Sequence, residues 1–192
     1  MWALVEDNTI VKIINNPKAM VIGDVSHSKN IFSFRWTNEE REAIGLYEIV
    51  IDNSNKRDES YYTNTNQSFD FADGAVTASF GSPTAKALDD VTDEEGRVTS
   101  GLKTQHKERI KQQASGLLEP TDWYNHKALD DETFTIPANI KTYRANIRTA
   151  SNDMEVLIDA CSTVDELAAL YEYTEQEDGS QTRPLGEFPE AV

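Results

Sequence analysis

The sequence predicts an α+β protein: a small antiparallel β-sheet domain with one short helix, followed by a long helix and a small helical carboxyl-terminal region. Three observations carry this. Up to about residue 82, short runs of alternating apolar and polar residues are separated by Asn, Asp and Gly, the period-2 mark of half-buried strands. From Pro83 onward the apolar spacing lengthens to about 3.5 residues, the helical period. With 192 residues, 38% hydrophobic and 9% aromatic, the chain has apolar matter for one domain or two small ones.

In the amino-terminal half, Trp2 and Leu4 alternate with Ala3 and Val5. Asp7-Asn8 supplies a turn before the β-rich run 9–14, so the pair predicts a hairpin. Asn15-Asn16-Pro17 ends the second strand, since proline has no N–H to give a ladder. Residues 30–36 alternate again and predict a strand with Phe32, Phe34 and Trp36 on one face. Thr37-Asn38-Glu39-Glu40 is a capping box, opening a short helix through Ala43 and Ile44 that Gly45 closes in the left-handed conformation. Residues 46–51 predict a further strand, 56–59 a solvated loop, and 68–71 and 75–80 a second hairpin about Asp73-Gly74.

In the carboxyl-terminal half, Leu88, Val91, Val98, Leu102, Ile110, Ala114 and Leu117 fall on one stripe and predict a helix over 83–118, whole or broken near Gly96. Gly96 and Gly101 weaken it, each by up to about 1 kcal/mol relative to alanine. So narrow a stripe suits either a coiled-coil seam, with self-association through 86–118, or packing on neighbouring helices. Pro120 closes this helix and 119–132 is expected as a loop; residues 133–136 are too short for a strand. Pro137 opens the next helix, with Ile140, Tyr143 and Ile147 on one face and Arg144 and Arg148 on another. Met154, Leu157, Ile158 and Cys161 continue the pattern after a break at residues 151–153. Thr163 to Glu166 is a second capping box, leading a helix with Leu167, Leu170 and Tyr171 inward. From Thr174 an acidic stretch rich in Gly, Pro and Gln is expected to be mobile. The predicted divisions are 1–82, 83–118, 119–173 and 174–192.

Charge and cysteine content narrow the function. The 34 acids and 18 bases give a formal charge of −16, the wrong sign for binding phosphate backbones or an anionic membrane surface. Acidity of this kind serves solubility, or a basic protein partner. Cys161 is the lone cysteine, so neither an intrachain disulfide nor a cysteine metal cluster is expected. The opening MWALVEDN lacks the features of a signal peptide, and no apolar run is long enough to cross a bilayer, so the expected product is soluble and made in a cytoplasm.

The segment EPTDWYNHKALDDE gathers Asp122, His126, Asp130, Asp131 and Glu132 around Trp123. Such groups suit a metal-dependent hydrolase, but His126 stands alone and no HxxE, HxxxH or HExxH spacing accompanies it. The acids lack the alternate spacing and glycine of a calcium loop, and no nucleophile or oxyanion hole goes with Asp122 and His126. No catalytic, metal or cofactor residue is therefore expected. In the packing reading, Thr121 and Asp122 cap the turn and Trp123 is the buried anchor. Arg144 and Arg148 then pair with acids across the loop, each surface pair contributing about 0–1 kcal/mol. A third reading makes the sheet a glycan-binding module on the strength of Tyr61 and Tyr62.

Arg109, Leu117-Leu118, Thr121-Asp122-Trp123, Ile136-Pro137, Tyr143-Arg144 and Ile147-Arg148 together resemble the signature of the bacteriophage tail assembly chaperone family. There, a helix ending near "LL" leads to "TDW" and then to a helix carrying "YR" and "LR". The resemblance spans about residues 105–150. Met1 to Glu6, Val11-Lys12 and Gly45-Leu46-Tyr47 are similar to leaders ahead of that module in phage tail proteins. The chain departs from the pattern in Ile147, in the acidic insert before Ile136, and in some forty further residues. The resemblance implies a tail or tail-fibre protein working by protein–protein contact with other tail proteins, located in the virion or acting as a transient chaperone. Trp123, Asp122, Tyr143, Arg144 and Arg148 are its defining residues, and it implies no catalytic ones.

Overall fold

The computed structural model describes residues 1–191, which form two compact units, Met1–Thr84 and a second that begins at Ala85. Both helices and strands are present, in the α+β arrangement the periodicities predict.

The first unit is built on five strands, β1 (Trp2–Glu6), β2 (Thr9–Ile14), β5 (Leu46–Asp52), β7 (Gln67–Ala72) and β8 (Ala75–Phe80), in the order β2-β1-β5-β8-β7. A small hairpin, β3 (Met20–Ile22) and β4 (Val25–His27), and the two-residue β6 (Tyr62–Thr63) complete it. Both predicted hairpins form. Asp7 and Asn8 take φ of 48° and 59°, and Asp73 and Gly74 take 51° and 76°, the left-handed pairs that match strand twist in two-residue turns. The β1–β2 register slips between Leu4 and Val5, a bulge no periodicity announces. The sheet is not wholly antiparallel: β8 returns beside β5 in parallel, Ile49 facing Val76 and Asp52 facing Ser79. Alternation identifies strands but not their neighbours, and the long connection after β5 lets the β7–β8 hairpin arrive in this sense.

Alternation sends Ala3, Val5, Ile49, Val76 and Ala78 to one core, joined by Tyr47, Phe69 and Phe71. A second core, Ile14, Ile31 and Leu46, gathers Trp2, Met20, Phe32, Trp36 and Ile44. The predicted strand at 30–36 does not form. Lys29–Phe32 is a 3-10 turn, and Phe34 is 95% exposed. The reason is Arg41, buried on α1 (Asn38–Glu42). Its guanidinium donates to the carbonyls of Ile31 and Ser33 and to Asn38, and lies 4.9 Å from the Trp2 ring centre, so those carbonyls are not free for a ladder. The Thr37–Glu40 capping box is present, and Gly45 closes the turn with φ of 77°.

The second unit departs from expectation at its start. No helix covers 83–101. After the two-residue β9 (Thr84–Ala85), Val91–Thr92 (β10) pairs with Val98–Thr99 (β11). Asp93 organises the turn, its carboxylate accepting from the N–H groups of Glu95 and Arg97, and Gly96 adopts φ of 81°. Local side-chain bonds and β-branched Val-Thr pairs outcompete the helical spacing here. The helix α2 is confined to Leu102–Leu118, and Gly101 caps it where any Cβ would lie 2.3 Å from the Asp89 carbonyl carbon.

Residues 119–132 are not a loop either. A 3-10 turn, Glu119–Thr121, leads into α3 (Asp122–Asp130). Then α4 runs unbroken from Ala138 to Ala160 through the predicted break, with Ser151 buried on its inner face. The pairs Lys107–Asp159 (2.7 Å) and Lys111–Glu155 (3.0 Å) set α2 and α4 antiparallel. The stripe Leu102, Ile110 and Ala114 is buried within the chain, Ala114 with Tyr143 and Ile147 of α4. Thr163 and Glu166 form the predicted capping box of α5 (Val164–Ala169). The acidic end is not loose: β12 (Thr174–Glu175) pairs with β13 (Gln181–Thr182), Leu185 is fully buried, and Phe188 packs against the Ala114–Tyr143–Ile147 cluster.

Candidate protein-interaction surface

The tightest polar construction in the second unit is the corner where α2 ends. Helix termini leave four carbonyls without intrahelical partners. Arg144, carried in by the apolar face of α4 and only 6% exposed, meets this need: Nη1 donates to the Leu118 carbonyl at 2.9 Å and to the Thr121 hydroxyl. Its Nη2 donates to Asp122 Oδ1 at 2.7 Å. Tyr143 donates its hydroxyl to the Leu117 carbonyl at 3.3 Å. Leu117-Leu118, Thr121-Asp122 and Tyr143-Arg144, apart in sequence, are thus one hydrogen-bonded corner. The expected caps are absent, because the Thr121 hydroxyl donates back to Leu118 rather than accepting from α3.

Arg144 is also not the surface ion-pair partner the sequence suggested. Its side chain is 7% exposed against 50% for Asp122, so its bonds are to be valued as charge-assisted ones in a sheltered site. Among the described residues Arg148 pairs with no acid: its guanidinium donates to the Arg144 carbonyl at 3.4 Å and is exposed.

Trp123 is not buried. It stays 50% exposed, stacked on Tyr124 with ring centres 3.8 Å apart, and Phe134 lies 6.3 Å from each. Lys127 Nζ sits 4.4 Å from the centre of the Phe134 ring, and Leu129 beyond it is 81% exposed. The reason is local: α3 turns Asp122 toward Arg144, which turns its neighbour Trp123 outward. Three roughly parallel rings held outside a core form an apolar platform of the residue types that dominate protein interfaces.

Among the described residues no hydrogen bond joins Asp122 to His126: Asp122 accepts from Arg144, and His126 is exposed on α3. Among the described residues no group of three or more His, Cys, Asp or Glu converges to hold a metal ion. No described helix is long and apolar enough to cross a membrane. Tyr61 and Tyr62 are half-buried, and Arg57 lies 5.2 Å from the Tyr62 ring centre.

Sequence reasoning missed the buried histidine. His106 is 5% exposed, its Nδ1 hydrogen-bonded to the Tyr171 hydroxyl at 2.7 Å. Burial, and then the Arg109 charge, lower its pKa from the ordinary 6.5; burial raises that of Tyr171. The signal was available, for His106 lies four residues from both Leu102 and Ile110 on the buried stripe.

No protein-family model, curated protein or solved structure matches this chain.

Proposed function

We propose that this chain is a bacteriophage tail protein, retained in the particle, that works through protein–protein contacts and not by catalysis. The observation that carries the reading is the half-exposed Trp123 platform, held by a corner whose residues are those of the tail-chaperone-like motif. A side chain of this size left half in water contributes little to folding and much to an interface. In this reading Arg144 and Tyr143 brace the corner, while Trp123 and Arg148 face the partner, another tail protein. The −16 charge keeps wrong, acidic surfaces away and favours partners with basic rims.

Mass spectrometry of gradient-purified particles beside the infected-cell lysate tests this. Abundant peptides in the particles, at a fixed copy number, are expected. Peptides confined to the lysate would replace the resident protein by a transient assembly chaperone, and absence from any phage-producing culture would end the reading.

A further inference from the structure

The inner face of α4 carries a serine where its neighbours are apolar. Ile140, Ile147, Met154 and Ile158 are buried along that face, and Ser151 is buried among them at 6% exposure. A buried hydroxyl without a hydrogen-bond partner costs stability that an alanine would not. The Ser151 hydroxyl has no such partner among the described residues, yet it is not sealed in. It opens on a cleft of about 380 Å³ between α2 and α4.

Lys111 and Ser115 of α2 and Arg148, Asn152 and Glu155 of α4 line the same cleft, and Arg144 and Asp122 complete its wall. Residues 144, 148, 151 and 155 follow one another at helical spacing and so share one face. In a chain with 34 acids against 18 bases, the balance here runs the other way. Both acids of the cleft are already taken, Glu155 by Lys111 at 3.0 Å and Asp122 by Arg144 at 2.7 Å. Arg148 is left over. Its guanidinium makes one long bond, 3.4 Å, to the Arg144 carbonyl, and pairs with no acid among the described residues. An uncompensated guanidinium beside an unpartnered buried hydroxyl is a set of donors that lacks its acceptor. The planar fork of arginine matches the two oxygens of a carboxylate.

We propose that this cleft is a carboxylate-binding site. Arg148 takes the two oxygens of the anion, the Ser151 hydroxyl donates to one of them, and Ser115 and Asn152 supply further donors. Asp122 and Glu155 stay with their own cations, so the anion does not face free carboxylates. The group belongs either to a free small acid or to an aspartate or glutamate of a protein, which present the same chemistry. The site rests on the cleft alone, and a chain absent from phage particles would leave it standing.

The experiment is a heteronuclear NMR titration of the full chain with sodium acetate replacing sodium chloride at constant ionic strength, so that screening does not change. The Arg148 side-chain Nε–H signal and the amides of 148–152 are followed. Saturable shifts confined to this cleft are expected. Arg148→Gln weakens binding at least about tenfold, and Ser151→Ala at least about threefold. Neither variant lowers the Tm, and Ser151→Ala raises it, because alanine removes the unpartnered hydroxyl. The opposite pattern for Ser151→Ala, a lower Tm with unchanged binding, overturns the role given to that serine. A second arm uses glutamate blocked at both backbone ends: tighter binding than acetate assigns the carboxylate to a protein side chain, equal binding to a free acid, and either sustains the site. Shifts that never saturate, or that survive Arg148→Gln unchanged, overturn the proposal. Phosphate binding more tightly than acetate overturns the carboxylate assignment. If Ser151→Ala fails to fold, Arg148→Gln decides.

Discussion

Removing the Arg144 guanidinium would leave the Leu118 carbonyl without its charged donor and Asp122 without its cation. Asp122 is half-exposed, so water recovers part of that loss; Arg144→Ala is expected to cost about 2–3 kcal/mol in urea unfolding. Arg144→Lys should recover less than half, because an ammonium cannot supply the planar fork that reaches three acceptors. Trp123→Ala, by contrast, should cost under about 1 kcal/mol, chiefly its stack on Tyr124, and on the proposed tail role it should abolish incorporation into particles. A Trp123 variant as damaging to stability as the Arg144 one would mean that the platform is core and not interface. His106 makes a pH prediction. Its folded pKa lies below the unfolded 6.5, so its contribution is intact above 6.5 and is lost as pH falls from there toward the lowered value. His106→Gln should flatten the wild-type loss of stability as pH falls below 6.5; identical profiles would show that the carboxylates alone govern acid unfolding.

At the scale of elements, two glycines separate conformational need from its absence. Gly45 turns α1 into β5 with φ of 77°, and a Cβ on it would lie 2.4 Å from the Val5 carbonyl oxygen. Gly45→Ala should cost more than about 1 kcal/mol. Gly116→Ala, in open space on a regular helix, should raise stability by up to about 1 kcal/mol, read as a higher Tm. A Gly116 variant that loses stability would show a crowding that the geometry of α2 does not contain. The elements differ also in how openly the sequence announces them. Asp7-Asn8, Asp73-Gly74 and both Thr-x-x-Glu boxes are short-range chemistry, complete within four residues, and each forms as expected. The stretch 83–101 misleads because Leu88, Val91 and Val98 fit a helical spacing. Its deciding feature is the five-residue turn from Asp93 to Arg97, a side-chain–backbone motif that hydrophobic periodicity does not register.

For the whole molecule, −16 at neutral pH is a self-repulsion that compaction increases. Raising NaCl from about 10 mM to about 150 mM should therefore raise the Tm, since the Debye length shrinks below the spacing of most surface charges. A falling Tm would mean that the pairs Lys107–Asp159 and Lys111–Glu155, which salt also screens, outweigh the net repulsion. The same charge leaves the apolar face of α2 to be covered from within. Leu102, Ile110 and Ala114 are buried in the chain's own second unit, while Val91 and Val98 of the same predicted stripe are exposed. Alternation in the first unit and helical periodicity in the second were enough by themselves to determine the α+β class, the two hairpins and the capped helix starts, because each depends on contacts between residues close in sequence. Tertiary structure alone decided the rest. Whether 30–36 is a strand depended on Arg41 taking its carbonyls, and whether Trp123 is core or surface depended on Arg144 drawing Asp122 inward from 22 residues away. Whether the acidic end is loose depended on a groove between two helices that meet only in the folded chain. Each of these turns on a buried side chain satisfying a distant backbone or apolar face, and the cost of leaving such a group unsatisfied appears in no local pattern.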